Sequence, residues 1–296
     1  MIRKTLVSLF VGALAVISTA SQSNDKQLSP AKVIAQSSQN EWRALDLENT
    51  LILSLNTGDV VIELNPLLAP NHVTNFKKLV REGFYKDLNI YRFVEGFVAQ
   101  GGDISEKKKP KTASKSIAAE FTKTTEKPIT IQLVDSKDGY ADKTGFLNGF
   151  AVAQNTTGTQ TWQTHCIGNF AMARGNELDS GGTEFYVILG NHRYLDLNIT
   201  SFGRVVTGIE HIQRLDRKPK TTIEDVSFNP IRNFVVAADL SDSPAHNIEV
   251  MKTNSDSFKQ YIESRRNRSE PWFHHQANYI DVCGLNVPKR AKTTEK

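Results

Sequence analysis

Residues 84–103 read FYKDLNIYRFVEGFVAQGGD and are the most informative part of the chain for its fold. Its two apolar runs alternate with a period of two, which is typical of β-strands. Arg92, Val98 and Gln100 all fall on even positions, so the pattern predicts that they share one face, unless Gly96 shifts the phase. A guanidinium stays protonated in proteins. An arginine among apolar neighbours therefore indicates a specific structural or functional role.

The same stretch resembles the signature of the cyclophilin-type peptidyl-prolyl isomerases. Members of that family usually read Phe-His-Arg, two apolar residues, Pro-Gly-Phe, two more apolar residues and Gln-Gly-Gly-Asp. This chain keeps that order, with Tyr91 in place of His and Glu95 in place of Pro. Further blocks that match the family lie at residues 168–174, 179–187, 194–196 and 201–208. The resemblance covers residues 50–239, with one large interruption.

The resemblance implies a mainly β fold, a closed eight-stranded antiparallel barrel capped by helices. Local patterns agree with it. Residues 50–64 predict a β-hairpin that turns at 56–59, and residues 71–80 have a helical spacing that ends at Glu82-Gly83. This order of hairpin, helix and arginine-bearing strand is also the order found in the family.

Changes in composition along the chain predict its organisation. The expected segments are a signal peptide (1–20), a flexible segment (21–41), the cyclophilin-like domain (42–239) with an insertion at about 122–164, a C-terminal extension that packs on the domain (240–288) and a disordered tail (289–296). Within the insertion, residues 129–134 are the best strand candidate. Within the extension, residues 254–268 predict a helix with Phe258, Tyr261 and Ile262 as its apolar stripe.

The N-terminus has the pattern of a secretory signal. Arg3 and Lys4 precede an apolar run at residues 6–17, which is too short to span a bilayer. Small residues follow it, and we expect cleavage after Ala20. The protein is therefore expected to be periplasmic or secreted, most simply in a bacterium. An uncleaved N-terminal anchor is the alternative.

The chain has two cysteines, Cys166 and Cys283. An even number in an oxidising compartment permits one disulfide, which would join the middle of the chain to its C-terminal region. Two buried free thiols are the alternative. The neighbouring pair His165-Cys166 gives little support for a thiol nucleophile, because adjacent residues rarely face each other and no orienting Asn or Asp is evident.

The composition is that of a folded soluble protein. Lys and Arg number 36 against 32 Asp and Glu, and this small excess, without a basic motif, gives no support for nucleic-acid binding. Neither a cofactor nor a metal is implied, since His274-His275 lacks an acidic partner at metal-ligand spacing. We expect a monomer that binds proline-containing polypeptide clients and does not attach to membranes after signal cleavage.

Rotation about a peptide bond needs a catalyst that favours the twisted amide, and that catalyst needs no nucleophile or metal. The barrier is roughly 18–20 kcal/mol, because resonance is lost on twisting. A fixed cation can donate to the amide nitrogen as it gains a lone pair, or to the prolyl carbonyl. The resemblance assigns this catalytic role to Arg92, and it assigns Gln100 to the substrate backbone and to the orientation of Arg92.

The resemblance also implies the substrate-binding residues. An apolar pocket for the proline ring is expected from four side chains, Phe97, Val98, Tyr186 and Leu195. Ala173 and Arg174 are expected to offer an edge of backbone to the substrate chain. Glu184 stands where members often have Gln, and Tyr194 where they often have Trp. These two departures and the insertion leave a second hypothesis, a folding chaperone or scaffold that binds clients with little turnover.

Overall fold

The computed structural model describes residues 27–136, 138–217 and 229–292. The predicted signal peptide, residues 1–20, and residues 293–296 of the predicted tail lie outside them. The described part contains sixteen β-strands: β1 (Trp42–Ala44), β2 (Thr50–Leu55), β3 (Gly58–Leu64), β4 (Asn89–Val94), β5 (Val98–Gly102), β6 (Lys123–Thr124), β7 (Gln132–Asp135), β8 (Lys143–Leu147), β9 (Phe150–Gln154), β10 (Gln160–Gln163), β11 (Asn169–Met172), β12 (Phe185–Ile188), β13 (Ser201–Thr207), β14 (Ile231–Val236), β15 (Ile248–Met251) and β16 (Lys289–Ala291). Its α-helices are α1 (Pro30–Gln36), α2 (Pro70–Arg81), α3 (Ile209–Gln213) and α4 (Asp256–Arg266). None of these helices is long and apolar enough to cross a membrane.

Eight antiparallel strands form the central sheet, in the order β14-β2-β3-β13-β11-β12-β5-β4. Its outer strands meet at a single bridge between Asn89 and Pro230. Backbone bonds flank the bridge, from Ile90 N to Asn229 O at 3.0 Å and from Ile231 N to Leu88 O at 2.9 Å. The sheet therefore closes on itself, and the predicted mainly β, eight-stranded barrel is confirmed.

Helix α2 covers one end of the barrel with its apolar face. Val73, Phe76 and Leu79 are buried, as the helical spacing predicts. The Phe76 ring lies 5.1–5.7 Å from five other aromatic rings, those of Tyr85, Phe170, Phe185, Phe202 and Phe234. Aromatic rings bury more apolar area than other side chains, so this cluster is the centre of the core.

The predicted insertion forms a second sheet of five strands, in the order β6-β10-β9-β8-β7. Its predicted strand, residues 129–134, is observed as β7, which begins three residues later and ends one residue later. The Phe146 ring from β8 packs at 5.1 Å against Phe258 of α4. The insertion and the C-terminal extension therefore share one apolar cluster.

Two segments predicted to lack structure are ordered, and both predictions are wrong for the described residues. In the N-terminal segment, helix α1 buries Val33 against α4. In the tail, β16 pairs with β15, and the Arg290 guanidinium lies over the Trp42 ring at 4.2 Å. Both segments are polar and short, so their order comes from tertiary contacts that local composition does not reveal.

Cys166 and Cys283 form a disulfide, with their Cα atoms 5.0 Å apart. The bond joins the segment after β10 to a short 3-10 turn of the extension, Val282–Gly284. The alternative of two free thiols is therefore wrong, and Cys166 is not available as a nucleophile.

Candidate active site

The β4–β5 hairpin places the predicted arginine and glutamine directly opposite each other. Arg92 pairs with Gln100 in the ladder, and Arg92 Nη1 donates to Gln100 Oε1 at 3.0 Å. The Arg92 guanidinium also lies 5.6 Å from the centre of the Phe97 ring. This contact is the one that the predicted orientation of Arg92 by Gln100 requires, and the role itself stays a prediction.

A β-bulge in β4 brings Tyr91 to the same group. The register shifts between Asn89 and Arg92, where two residues of β4, Ile90 and Tyr91, oppose the single residue Gly101 of β5. A bulge breaks the strict alternation of side chains, so Tyr91 and its neighbour Arg92 both reach Gln100. Gln100 Nε2 donates to the Tyr91 hydroxyl at 2.5 Å. The sequence pattern placed these two neighbours on opposite faces, and it is wrong at this point because the bulge cannot be read from it.

The residues predicted to hold the proline ring lie together in one apolar cluster. Val98 and Tyr186 are buried in it, and Phe97 and Leu195 are half-buried at its edge. The cluster also contains Ala171, Ala173, Ile188 and Ile199. Because Phe97 contacts both this cluster and the Arg92 guanidinium, the cation adjoins the apolar surface.

Tyr194 does not belong to the apolar cluster. Its side chain is 57% exposed, and it packs on His192 with ring centroids 5.6 Å apart. His192 in turn meets the Phe97 ring edge-on at 4.9 Å. Sequence reasoning missed His192, which carries no motif and reaches the site only through the fold.

Behind the cluster, a buried polar network holds the Tyr186 side chain. The Tyr186 hydroxyl lies 3.2 Å from His165 Nε2, and His165 Nδ1 lies 3.1 Å from Asp196 Oδ1. Arg193 donates to Asp196 at 2.6 Å and to both carboxylate oxygens of Asp138 at 3.0 and 3.1 Å. Since Asp138 belongs to the insertion, the network ties the insertion to the apolar cluster.

This network corrects the expectation that His165 has no orienting acid. Asp196 accepts from the His165 backbone N–H at 2.8 Å as well as lying beside its ring. The two residues are 31 positions apart in the chain, so local sequence gives no signal of the pairing. With Cys166 in a disulfide, the pair supports packing and not nucleophilic chemistry.

A cavity of about 560 Å³ adjoins the Arg92 side of the apolar cluster. Gln100, Ala173, Arg174 and Glu184, all predicted to bind substrate, line it together with charged residues of the neighbouring loops. We call it the side cavity. The predicted substrate-binding residues thus fall into two adjoining parts, the apolar cluster and the side cavity, with Tyr194 outside both.

The backbone edge predicted at residues 173–174 is partly occupied. Ala173 N–H donates to Glu184 O at 2.8 Å, so a substrate must pair with other backbone groups of this segment. The Arg174 guanidinium donates to the carbonyls of Asn198 at 2.9 Å and Gly175 at 2.8 Å. Arg174 therefore stabilises the loops around the side cavity.

Glu184 is the most perturbed acid of the site. Its Oε1 accepts from the Asp103 N–H at 2.5 Å. Burial raises the pKa of Glu184 to about 7, and the charges of Asp103 and Glu106 act in the same direction. A Cβ on Gly102, whose φ is +137°, would overlap the Glu184 carboxyl. The glycine of this turn therefore makes room for the carboxyl.

Comparisons with known proteins agree with this geometry. The family model described as cyclophilin type peptidyl-prolyl cis-trans isomerase/CLD matches residues 50–254. A probable peptidyl-prolyl cis-trans isomerase of Brucella suis biovar 1 is 30% identical over 183 residues, 59% of this chain and 74% of the relative. Peptidyl-prolyl cis-trans isomerase B of Bacillus subtilis is 28% identical over 156 residues, 53% of this chain and 82% of the relative.

A solved structure is similar over a longer part of the chain. The crystal structure of cyclophilin AquaCyp293 from Hirschia baltica aligns with a TM-score of 0.67 and 28% sequence identity, and covers 86% of this chain and 95% of that one. The similarity in fold therefore extends beyond the part that the family model matches.

Proposed function

The chain belongs to the cyclophilin-type peptidyl-prolyl cis-trans isomerase family, and we propose that Arg92 and the apolar cluster beside it carry the activity. The enzyme accelerates rotation about X-Pro bonds, which otherwise takes tens to hundreds of seconds. The observation that carries this assignment is the bond from Arg92 Nη1 to Gln100 at 3.0 Å, formed next to the half-buried Phe97.

In the proposed mechanism, Arg92 supplies a fixed positive charge to the twisted amide. As the bond rotates, the proline nitrogen becomes pyramidal and gains a lone pair, which an N–H donor stabilises. The guanidinium has five N–H groups, and Gln100 accepts from one of them. Preorganised donors stabilise a developing charge without reorganisation during the reaction.

The apolar cluster holds the proline ring in this proposal. Phe97 and Leu195 present its half-buried edge, and Tyr186 forms its buried base. Residues that flank the proline extend toward the side cavity, where Gln100 can hold the client backbone. The clients are proline-containing polypeptides, because this geometry recognises a ring and a backbone and no particular sequence.

Exchange spectroscopy on a short proline peptide tests the mechanism without a coupled protease. The expected result is cis-trans exchange that accelerates in proportion to enzyme concentration. The alternative, a binding-only chaperone, predicts shifted or broadened peptide resonances with unchanged exchange. A Phe97→Ala variant should raise KM more than it lowers kcat, since it removes part of the apolar cluster and keeps the bond from Arg92 to Gln100.

Action on exported proteins is the second part of the proposal. It is supported by the signal-like pattern at residues 1–20 and by the disulfide, a bond typical of oxidising compartments. Cell fractionation with N-terminal sequencing tests it. A periplasmic or secreted protein that begins at Ser21 is expected, and a cytoplasmic protein that retains Met1 would contradict it.

A monomer that binds neither nucleic acid nor membranes completes the proposal. Light scattering after gel filtration should give a mass close to that of one chain. A stable dimer, or retention on liposomes after the first 20 residues are removed, would contradict this part without affecting the isomerase assignment.

A further inference from the structure

Two departures from the family pattern, Tyr91 and Glu184, lie in one chain of hydrogen bonds that ends at Arg92. Arg92 donates to Gln100 at 3.0 Å, and Gln100 donates to the Tyr91 hydroxyl at 2.5 Å. The Tyr91 hydroxyl interacts in turn with the Glu184 carboxyl. When Glu184 is a carboxylate, each donor in this series of hydrogen bonds points away from Arg92 and toward Glu184.

We propose that Glu184 is a positioning residue: its carboxylate fixes the Arg92 guanidinium through the two intervening side chains, and its protonation weakens that hold. Isomerase activity should therefore depend on pH. This inference rests on the proposed role of Arg92 as the donor to the substrate amide.

Ionised Glu184 orders the chain because a carboxylate can only accept hydrogen bonds. The Tyr91 hydroxyl must then donate to it, and the tyrosine oxygen stays available to the Gln100 amide. The carbonyl of Gln100 is thereby turned toward Arg92. Bonds to a charged acceptor are roughly twice as strong as neutral ones, and bonds in a chain polarise one another.

Protonated Glu184 loses this directing effect. Its O–H can donate to the Tyr91 oxygen and compete with the Gln100 amide, which leaves Gln100 free to turn. Oε2 is the oxygen that can carry this proton. It is buried and has no well-formed hydrogen bond in the described part of the chain.

The surroundings of Glu184 place its titration in the neutral range. Burial raises its pKa to about 7, and the donor groups of Tyr91 and Asp103 oppose that rise. Tyr85 faces it from the segment after α2, and Asp103 and Glu106 face it from the loop after β5.

The other charged residues around the side cavity are Lys108, Lys115, Arg174, Glu177 and Asp179. Lys115 pairs with Glu106 at 2.9 Å, and Lys108 donates to Phe84 O at 2.8 Å.

The test compares pH profiles of kcat/KM for an uncharged proline peptide in wild type, Glu184→Gln and Tyr91→Phe. We expect the wild-type value to rise about fivefold with pH through a single-proton step near neutrality. Both variants should lack the step. In Tyr91→Phe the Glu184 carboxyl, followed by carbon NMR, should still titrate, and at a higher pH because it has lost a donor.

Glu106→Gln is the matched control, since it makes the same substitution on an exposed carboxylate of the same cavity. It should keep the step and move it to lower pH, because the Glu106 charge raises the pKa of Glu184. A step that survives in Glu184→Gln belongs to another group and would overturn the inference. A step seen only with a lysine-containing peptide would overturn it too, since the carboxylate would then act on the substrate directly.

Failure of this inference and failure of the proposed mechanism give different results. If Arg92→Ala is inactive and the wild-type profile is flat, the positioning role of Glu184 is wrong and the role of Arg92 stands. If Arg92→Ala keeps its activity, the proposed mechanism is wrong.

Discussion

Reduction of the Cys166–Cys283 disulfide should lower the free energy of unfolding. The two residues are 117 positions apart, and closing a loop of that length is worth about 4.9 kcal/mol at 25 °C in the chain-entropy model. Residual structure in the unfolded chain reduces this value, so the expected loss is about 2–5 kcal/mol. Both cysteines are buried in the cluster that holds the extension, where the cross-link acts together with apolar packing.

Urea unfolding, followed by tryptophan fluorescence, measures this loss. Oxidised and reduced wild type differ by little more than the sulfur–sulfur bond, so their difference isolates the cross-link. The double variant Cys166→Ala/Cys283→Ala is the control, because reductant should not change its unfolding. A loss below about 1 kcal/mol in the reduced wild type would contradict this prediction, since it is well below the value expected for a loop of this length.

Three other substitutions test the core, the buried network and the carboxyl of the side cavity. Phe76→Ala should lower the free energy of unfolding by about 3–5 kcal/mol in urea, because the ring is fully buried. Asp138→Asn should cost about 3–5 kcal/mol, because it leaves the buried Arg193 with one carboxylate fewer; a near-neutral result would mean that Asp196 alone compensates the charge. Glu184→Gln should be more stable than wild type at about pH 8 by up to about 3 kcal/mol. The folded pKa of Glu184 is about 7 against a reference of 4.5, so wild-type stability falls as pH rises between these values. The advantage of the variant should vanish below about pH 4.5, and equal urea midpoints for the two proteins at every pH would contradict it.

The sequence was most informative where periodicity and burial agree. The helical spacing of Val73, Phe76 and Leu79 predicts α2 because one face of a helix must be apolar to cover a barrel. The β2–β3 hairpin follows from two apolar runs on either side of a turn signal at 56–59, although the turn is shorter than predicted because β3 begins at Gly58. The family motif lies on the β4–β5 hairpin, whose ladder brings Arg92, Gln100 and Phe97 together, while their roles stay predictions.

The same patterns failed where structure depends on contacts that are distant in the chain. The pairing of His165 with Asp196 joins two loops that have no shared motif. Helix α1 and strand β16 are ordered only because α4 and β15 lie beside them. The β4 bulge is a local feature, but alternation gives no sign of the extra residue, so the contact of Tyr91 with Gln100 could not be predicted.

The catalytic role of Arg92 is tested by kcat/KM of the Arg92→Ala variant, measured by exchange spectroscopy on a proline peptide. Arg232→Ala is the matched control, because Arg232 is an exposed residue of β14 that contacts Asn56. Circular dichroism and urea unfolding establish that both variants are folded. We predict a loss of about 100-fold in Arg92→Ala and wild-type activity in the control. A folded Arg92→Ala within about threefold of wild type would contradict it, since the fixed cation would then contribute little to the barrier.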